Sequence, residues 1–146
     1  FGIATDFANV EPVLGRRPEL SHVVQFDSDV TRGDVTNVAP ASGRLLITFG
    51  ALHRSMVVCR ERLQAIRQSA QMDPTLQPVD PKELQGLDDD AMGGILIRAA
   101  VLANADGIVL MQSRHIERIR HNVRAADDDA VDDRARLLAR IAGGRL

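Results

Sequence analysis

The chain has 146 residues, of which 45% are hydrophobic, and a formal net charge of −2, so its length predicts one domain with one sizeable core. It has no Trp, no Tyr and four Phe, which excludes an aromatic platform for stacking nucleic-acid bases. The single cysteine, Cys59, excludes an intrachain disulfide and a cysteine-based zinc site.

Residues 1–40 show no strong hydrophobic period. Proline and glycine interrupt the segment at Pro12, Gly15, Pro18 and Pro40, around one short apolar run at residues 22–26. This composition predicts an irregular N-terminal arm.

The next segment carries an apolar stripe whose members are separated by four and three residues in turn. Only a helix keeps such a series on one face, so the spacing predicts a long helix over residues 42–71. Cys59 belongs to the stripe, which predicts a buried cysteine rather than a nucleophile. The full stripe is Leu45, Phe49, Leu52, Met56, Cys59, Leu63, Ile66 and Ala70.

Three prolines, Pro74, Pro78 and Pro81, follow the stripe and predict an extended connector over residues 73–87. A second helix is expected to begin at Asp88–Asp90, where acidic residues favour a helix N-terminus, and to continue to about residue 126. Asn104 and Gly107 are stop signals within it, so the sequence leaves a break at residues 104–107 open. A third, shorter helix is predicted from inward-facing Val131, Ala135, Leu138 and Ile141.

These segments together predict an all-α fold. Residues 1–146 would form one helical domain in which the two long helices pair as an antiparallel hairpin. The alternative is an α/β fold with strands at residues 22–26, 45–49 and 108–111. That alternative breaks the eight-residue stripe, so the all-α fold is preferred.

The sequence offers few groups for catalysis. It has no glycine-rich phosphate loop and no nucleophile elbow, and Glu117 with His121 lacks further ligands at metal-binding spacing. We therefore expect no enzymatic activity, no metal and no cofactor. Arginine supplies nearly all the positive charge, because Lys82 is the single lysine. Regularly spaced arginines on helices are suited to contacting phosphates.

Two blocks of sequence resemble the coat proteins of rod-shaped plant viruses of the tobamovirus kind. The first is Val24-Gln25-Phe26-Asp27-Ser28-Asp29, followed by Asn37-Val38, Leu45-Leu46, Phe49 and Arg54; the second is Asp89-Asp90-Ala91 with Ile97-Arg98-Ala99-Ala100. The resemblance implies a four-helix bundle that holds RNA between two helices. It further implies that Arg54 and Arg98 contact phosphates and that Asp89 and Asp90 lie beside the RNA.

The expected function is therefore a self-assembling structural subunit that packs laterally against copies of itself and binds single-stranded RNA. The alternative is a helical protein–protein adaptor or regulatory module that binds no nucleic acid. No apolar run is long enough to span a membrane and no signal peptide is visible, so the expected location is the virion or the cytoplasm.

Overall fold

The computed structural model describes residues 2–33, 35, 38, 44–72, 83 and 85–144. Four strands and five α-helices form in this part of the chain, so the protein is a mixed α/β fold and the all-α prediction was wrong. In chain order the elements are β1 (Gly2–Thr5), α1 (Phe7–Arg16), β2 (Val23–Asp27), β3 (Leu45–Phe49), α2 (His53–Met72), α3 (Asp89–Ala103), β4 (Ile108–Val109), α4 (Ile116–Asp127) and α5 (Asp132–Gly143).

The four strands pair in parallel in the order β1-β2-β3-β4. Alternate residues point to opposite faces of the sheet, and one face is buried at Val24, Phe26, Leu46 and Thr48. Helix α1 covers part of this face through Val10. The opposite face remains partly exposed at residues 23, 25, 45 and 47.

The N-terminal arm is therefore not irregular, as the sequence predicted, but contains β1, α1 and β2. Pro12 lies inside α1 without ending it. The ring centroids of Phe7 and Phe26 are 5.7 Å apart, and these residues join α1 and β2 in a sheet core. Apolar contacts between residues far apart in the sequence stabilise these elements, although the prolines and glycines of the segment locally favour loops.

A second core lies among the helices. The seam of α2 is as the stripe predicted and packs with residues of α3 and α5, and Leu52, just before the helix, packs against the same core. The seam consists of Met56, Cys59, Leu63 and Ile66. Helix α2 contacts α5 more extensively than α3, so the predicted two-helix hairpin is replaced by a three-helix core. No described helix combines the length and the apolar character that crossing a bilayer requires.

Cys59 is fully buried in this helical core, as the stripe predicted. Burial raises the pKa of its thiol to about 11, which keeps the thiol protonated near neutral pH. Cys59 is therefore a small packing residue of the core.

The third helix is confirmed as α5, with Ala135, Leu138 and Ile141 buried. It ends at Gly144, whose φ of 69° gives the left-handed conformation that closes a helix C-terminus. Sequence and structure agree here because the spacing and the stop signal are both local.

The predicted first helix was wrong at its beginning, because Leu45 and Phe49 belong to β3. A separation of four residues is also a multiple of two, so a strand places Leu45 and Phe49 on one face just as a helix would. The β3 strand pairs with β2 along its whole length, and Gly50, at a φ of 81°, turns the chain into α2. Residues 42 and 43 lie outside the described residues.

The predicted second helix is divided into α3, β4 and α4, and the break falls at residues 104–107. Asp88 caps α3 by accepting a hydrogen bond from the Ala91 N–H at 2.8 Å. The predicted connector lies mainly outside the described residues, which include only 83 and 85–87 of it. The α/β alternative placed the strands at 22–26, 45–49 and 108–111 close to the observed β2, β3 and β4.

Asn104 joins the sheet to the helical core. Its side chain is buried at the end of α3, and its Nδ2 donates to the carbonyl oxygens of Leu46 and Ile108, both at 3.2 Å. The Oγ1 atom of Thr48 lies 3.4 Å away. A Cβ atom on Gly107 would lie 2.2 Å from the Asn104 Oδ1 atom and 2.4 Å from the Leu46 carbonyl oxygen. The turn into β4 therefore requires glycine.

We predict that Gly107→Ala lowers the free energy of unfolding by about 1–3 kcal/mol, because the added methyl group displaces the Asn104 side chain or β3. Gly93→Ala in α3 is the matched control, since its new Cβ atom meets nothing within 4 Å. The control should raise stability by up to about 1 kcal/mol through helix propensity. Urea unfolding followed by circular dichroism measures both changes, and equal effects would contradict the close packing at Gly107.

Candidate ligand groove at the carboxyl edge of the sheet

Parallel strands end at one edge of their sheet, and ligands of open α/β sheets bind beyond that carboxyl edge. Here a groove of about 630 Å³ lies at the ends of β3 and β4, next to Gln25 in the middle of β2 and next to α4, and we call it the edge groove. Its lining residues are Gln25, Phe49, Gly50, Ala51, Leu52, His53, Leu110, Met111, Gln112 and Asn122.

Four polar side chains reach the edge groove from four different elements. Gln25 comes from β2, His53 from the first turn of α2, Gln112 from the segment after β4, and Asn122 from α4. Each amide side chain carries both a donor and an acceptor of hydrogen bonds. Among the described residues that line the groove, none is Asp, Glu, Lys or Arg. The edge groove is thus equipped to bind uncharged polar groups.

The remaining lining is mostly apolar. Phe49, Leu52, Leu110 and Met111 contribute side chains, and Leu110 is 43% exposed. Gly50 adopts its positive φ at the turn between β3 and α2, so the backbone itself forms part of the lining. The first-turn N–H groups of α2 lack intrahelical partners and lie at the positive end of the helix dipole.

Aspartates at the end of β2 form a structural cluster near this edge. Asp27 accepts a hydrogen bond from the Phe7 N–H at 2.8 Å and one from Arg32 Nη2 at 2.8 Å. Asp29 is buried, accepts from the Thr31 N–H at 2.8 Å, and lies 3.4 Å from the Arg32 Nε atom. These contacts tie the end of β2 to the start of α1.

The hydrogen bond from the Phe7 N–H, with further contributions from Arg32, holds the pKa of Asp27 below its usual value of 3.8. The ionised carboxylate is therefore favoured in the folded state.

Arg98 and Asp89, two of the residues that the coat-protein resemblance implicates, bind other parts of the chain. Arg98 lies 2.6 Å from both the Asp132 carboxylate and the Ala126 carbonyl oxygen, with its side chain 15% exposed. Asp89 binds Arg60 at 2.6 and 2.8 Å. The structure therefore uses both residues to connect helices.

The other two lie on different helices. Arg54 is exposed in the first turn of α2, next to His53 of the edge groove. Asp90 is exposed in the first turn of α3 and lines a different groove. Neither groove is lined by all four residues of the coat-protein resemblance. Their binding to RNA stays a prediction.

Sequence reasoning missed the edge groove because its lining comes from segments far apart in the chain. Two sequence features could have predicted strands that end at this groove. They are the β-compatible runs at residues 45–49 and 108–111, each followed by polar residues or glycine. The α/β alternative contained them, whereas the all-α interpretation placed Phe49 and Leu52 on one continuous helix.

Asp27→Asn should destabilise the protein most near neutral pH. The pKa of Asp27 is lower in the folded state than in the unfolded chain, where it is near 3.8. The carboxylate therefore contributes to the free energy of unfolding at pH values above 3.8, and this contribution is lost as the pH falls through the folded-state pKa. The difference in unfolding free energy between parent and variant should therefore shrink as the pH falls below about 4. Urea titrations between neutral pH and pH 3 measure it, and a difference independent of pH would contradict the assignment.

Arg98→Gln should lower the melting temperature, because it leaves the Ala126 carbonyl oxygen and the Asp132 carboxylate without their guanidinium partner. Arg118→Gln is the control, since Arg118 is exposed on α4 and has no ion pair in the described part of the chain. Differential scanning calorimetry compares the two, and a melting temperature that Arg98→Gln leaves unchanged would show that this contact is not structural.

No protein-family model, curated protein or solved structure matches this chain. The geometry described above is therefore the basis for assigning a function.

Proposed function

We propose that this protein is a small-molecule-binding α/β domain whose edge groove holds an uncharged heterocyclic ligand of about nucleoside size. The observation that carries the proposal is the edge groove itself, about 630 Å³ in volume, at the carboxyl edge of a parallel sheet. Ligand pockets in proteins commonly measure about 300–1,000 Å³ and combine apolar walls with a few polar groups.

The chemistry of the lining supports the ligand class. Gln25, Gln112 and Asn122 can donate to and accept from the edge of a heterocycle, since every amide offers both kinds of group. Phe49 and Met111 supply apolar and polarisable surface for its faces. A strongly charged ligand would find no opposite charge among the lining side chains.

The four-helix bundle that the coat-protein resemblance implied is contradicted by the parallel sheet, whereas self-assembly and RNA binding stay predictions. The adaptor hypothesis shares the same all-α premise. Neither hypothesis accounts for the edge groove, whereas the ligand-binding proposal does.

The proposal is tested by titrating ¹⁵N-labelled protein with adenosine, inosine and uridine and recording amide chemical shifts. We expect at least one probe to shift resonances concentrated at residues 49–53 and 110–112. Gln112→Leu should weaken that binding about tenfold or more, because a bound hydrogen-bonding group would be left without its partner.

Gln64→Leu is the matched control, since Gln64 is exposed on α2 and does not line the edge groove. It should leave the affinity unchanged. Shifts concentrated elsewhere, or no shift with any of the three probes at about 1 mM, would overturn the proposal.

A further inference from the structure

A second groove lies between α3, α4 and the beginning of α5, and we call it the charged groove. Its volume is about 260 Å³, and no described residue lines both it and the edge groove. Five of its lining side chains are ionisable: Asp90, His121, Arg124, Asp128 and Arg134. Groups of both signs thus face one small space.

These opposite charges do not pair with one another. The side chains of Asp90, His121 and Arg124 form no hydrogen bond or ion pair within the described part of the chain. Asp128 accepts from the Ala130 N–H at 3.1 Å, and Arg134 donates from Nη2 to the Gln85 carbonyl oxygen at 2.9 Å.

Nearby charges behave differently. Arg60 pairs with Asp89, and Arg98 pairs with Asp132, each at 2.6 Å. The helices therefore bring some opposite charges into direct contact and hold those of the charged groove apart.

Arg134 retains one donor without an acceptor. Its Nε atom is buried and has no hydrogen-bond partner among the described residues. A buried donor without a partner is costly, and the groove reaches Arg134 through the rest of its guanidinium group.

The remaining residues that line the charged groove are small or apolar. Gly94 allows α3 and α4 to approach closely, because a Cβ atom at this position would lie 3.4 Å from both His121 Nε2 and Ala125 Cβ. Ile95 and Val131 also line the groove and can contact a short aliphatic chain.

We propose that the charged groove binds a small zwitterion of the aliphatic amino-acid class. Arg124 and Arg134 bind its carboxylate, since guanidinium groups form charge-assisted hydrogen bonds with carboxylates. Asp90 and Asp128 bind its ammonium group, and Ile95 and Val131 contact its side chain. This inference does not depend on the function proposed for the edge groove.

Isothermal titration calorimetry on the intact chain tests the proposal with L-valine as the probe. Isovalerate keeps the carboxylate and lacks the ammonium group, whereas isobutylamine keeps an amine and lacks the carboxylate. We expect L-valine to bind about tenfold or more tightly than either, because each analogue leaves one set of charges unpaired. Arg124→Gln and Asp90→Asn should each weaken L-valine binding by a similar factor.

Arg118→Gln, on the same helix and outside the groove, should leave L-valine binding unchanged. Because Arg124 and Asp90 have no partner among the described residues, their variants should fold normally, as circular dichroism would verify. The proposal is overturned if isovalerate or inorganic phosphate binds as tightly as L-valine, which indicates a simple anion site. It is also overturned if L-valine produces no binding heat at about 10 mM, or if Arg124→Gln leaves its affinity unchanged.

Discussion

The amide side chain of Asn104 is the contact on which the arrangement of sheet and helices depends. It lies where α3 ends and binds one carbonyl oxygen of each of the paired strands β3 and β4. A buried amide of this kind is costly unless its hydrogen bonds are made, so the turn must place it within narrow limits. Gly107 is required for the same reason, because any Cβ atom there would meet Asn104. The position of β4, and with it one wall of the edge groove, follows from this contact.

Two cores meet at this junction. The sheet core contains Val24, Phe26 and Leu46 with α1, and the helical core contains the seam of α2 with α3 and α5. Each core has a groove beside it: the edge groove lies where the strands end, and the charged groove lies where three helical elements approach. The two linings differ in chemistry, since the edge groove is neutral and the charged groove is ionic. Two separate ligand classes are therefore consistent with one small domain.

Several arginines of the described structure bind carbonyl oxygens or carboxylates of other elements. The guanidinium of Arg62 donates to the Ile141 carbonyl oxygen at 2.6 Å, and Arg98 contacts the junction of α4 and α5 in a similar way. A planar group with five donors is well suited to the unpaired carbonyl oxygens at the ends of helices. Arg124 has no such partner in the described part of the chain, as is also true of Arg118, and what distinguishes it is its position in the lining of the charged groove.

The sequence by itself determined the seam of α2 from Met56 to Ile66, the buried face of α5, the beginning of α3 at Asp88 and the end of α5 at Gly144. Each depends on residues three or four positions apart or on one capping residue, so local spacing is sufficient. Tertiary structure decided that residues 45–49 form a strand, because spacings of four fit both a helix and a strand and only pairing with β2 distinguishes them. It also decided the edge groove, since Gln25, His53, Gln112 and Asn122 become neighbours only when three parallel strands end at one edge and α4 lies beside them.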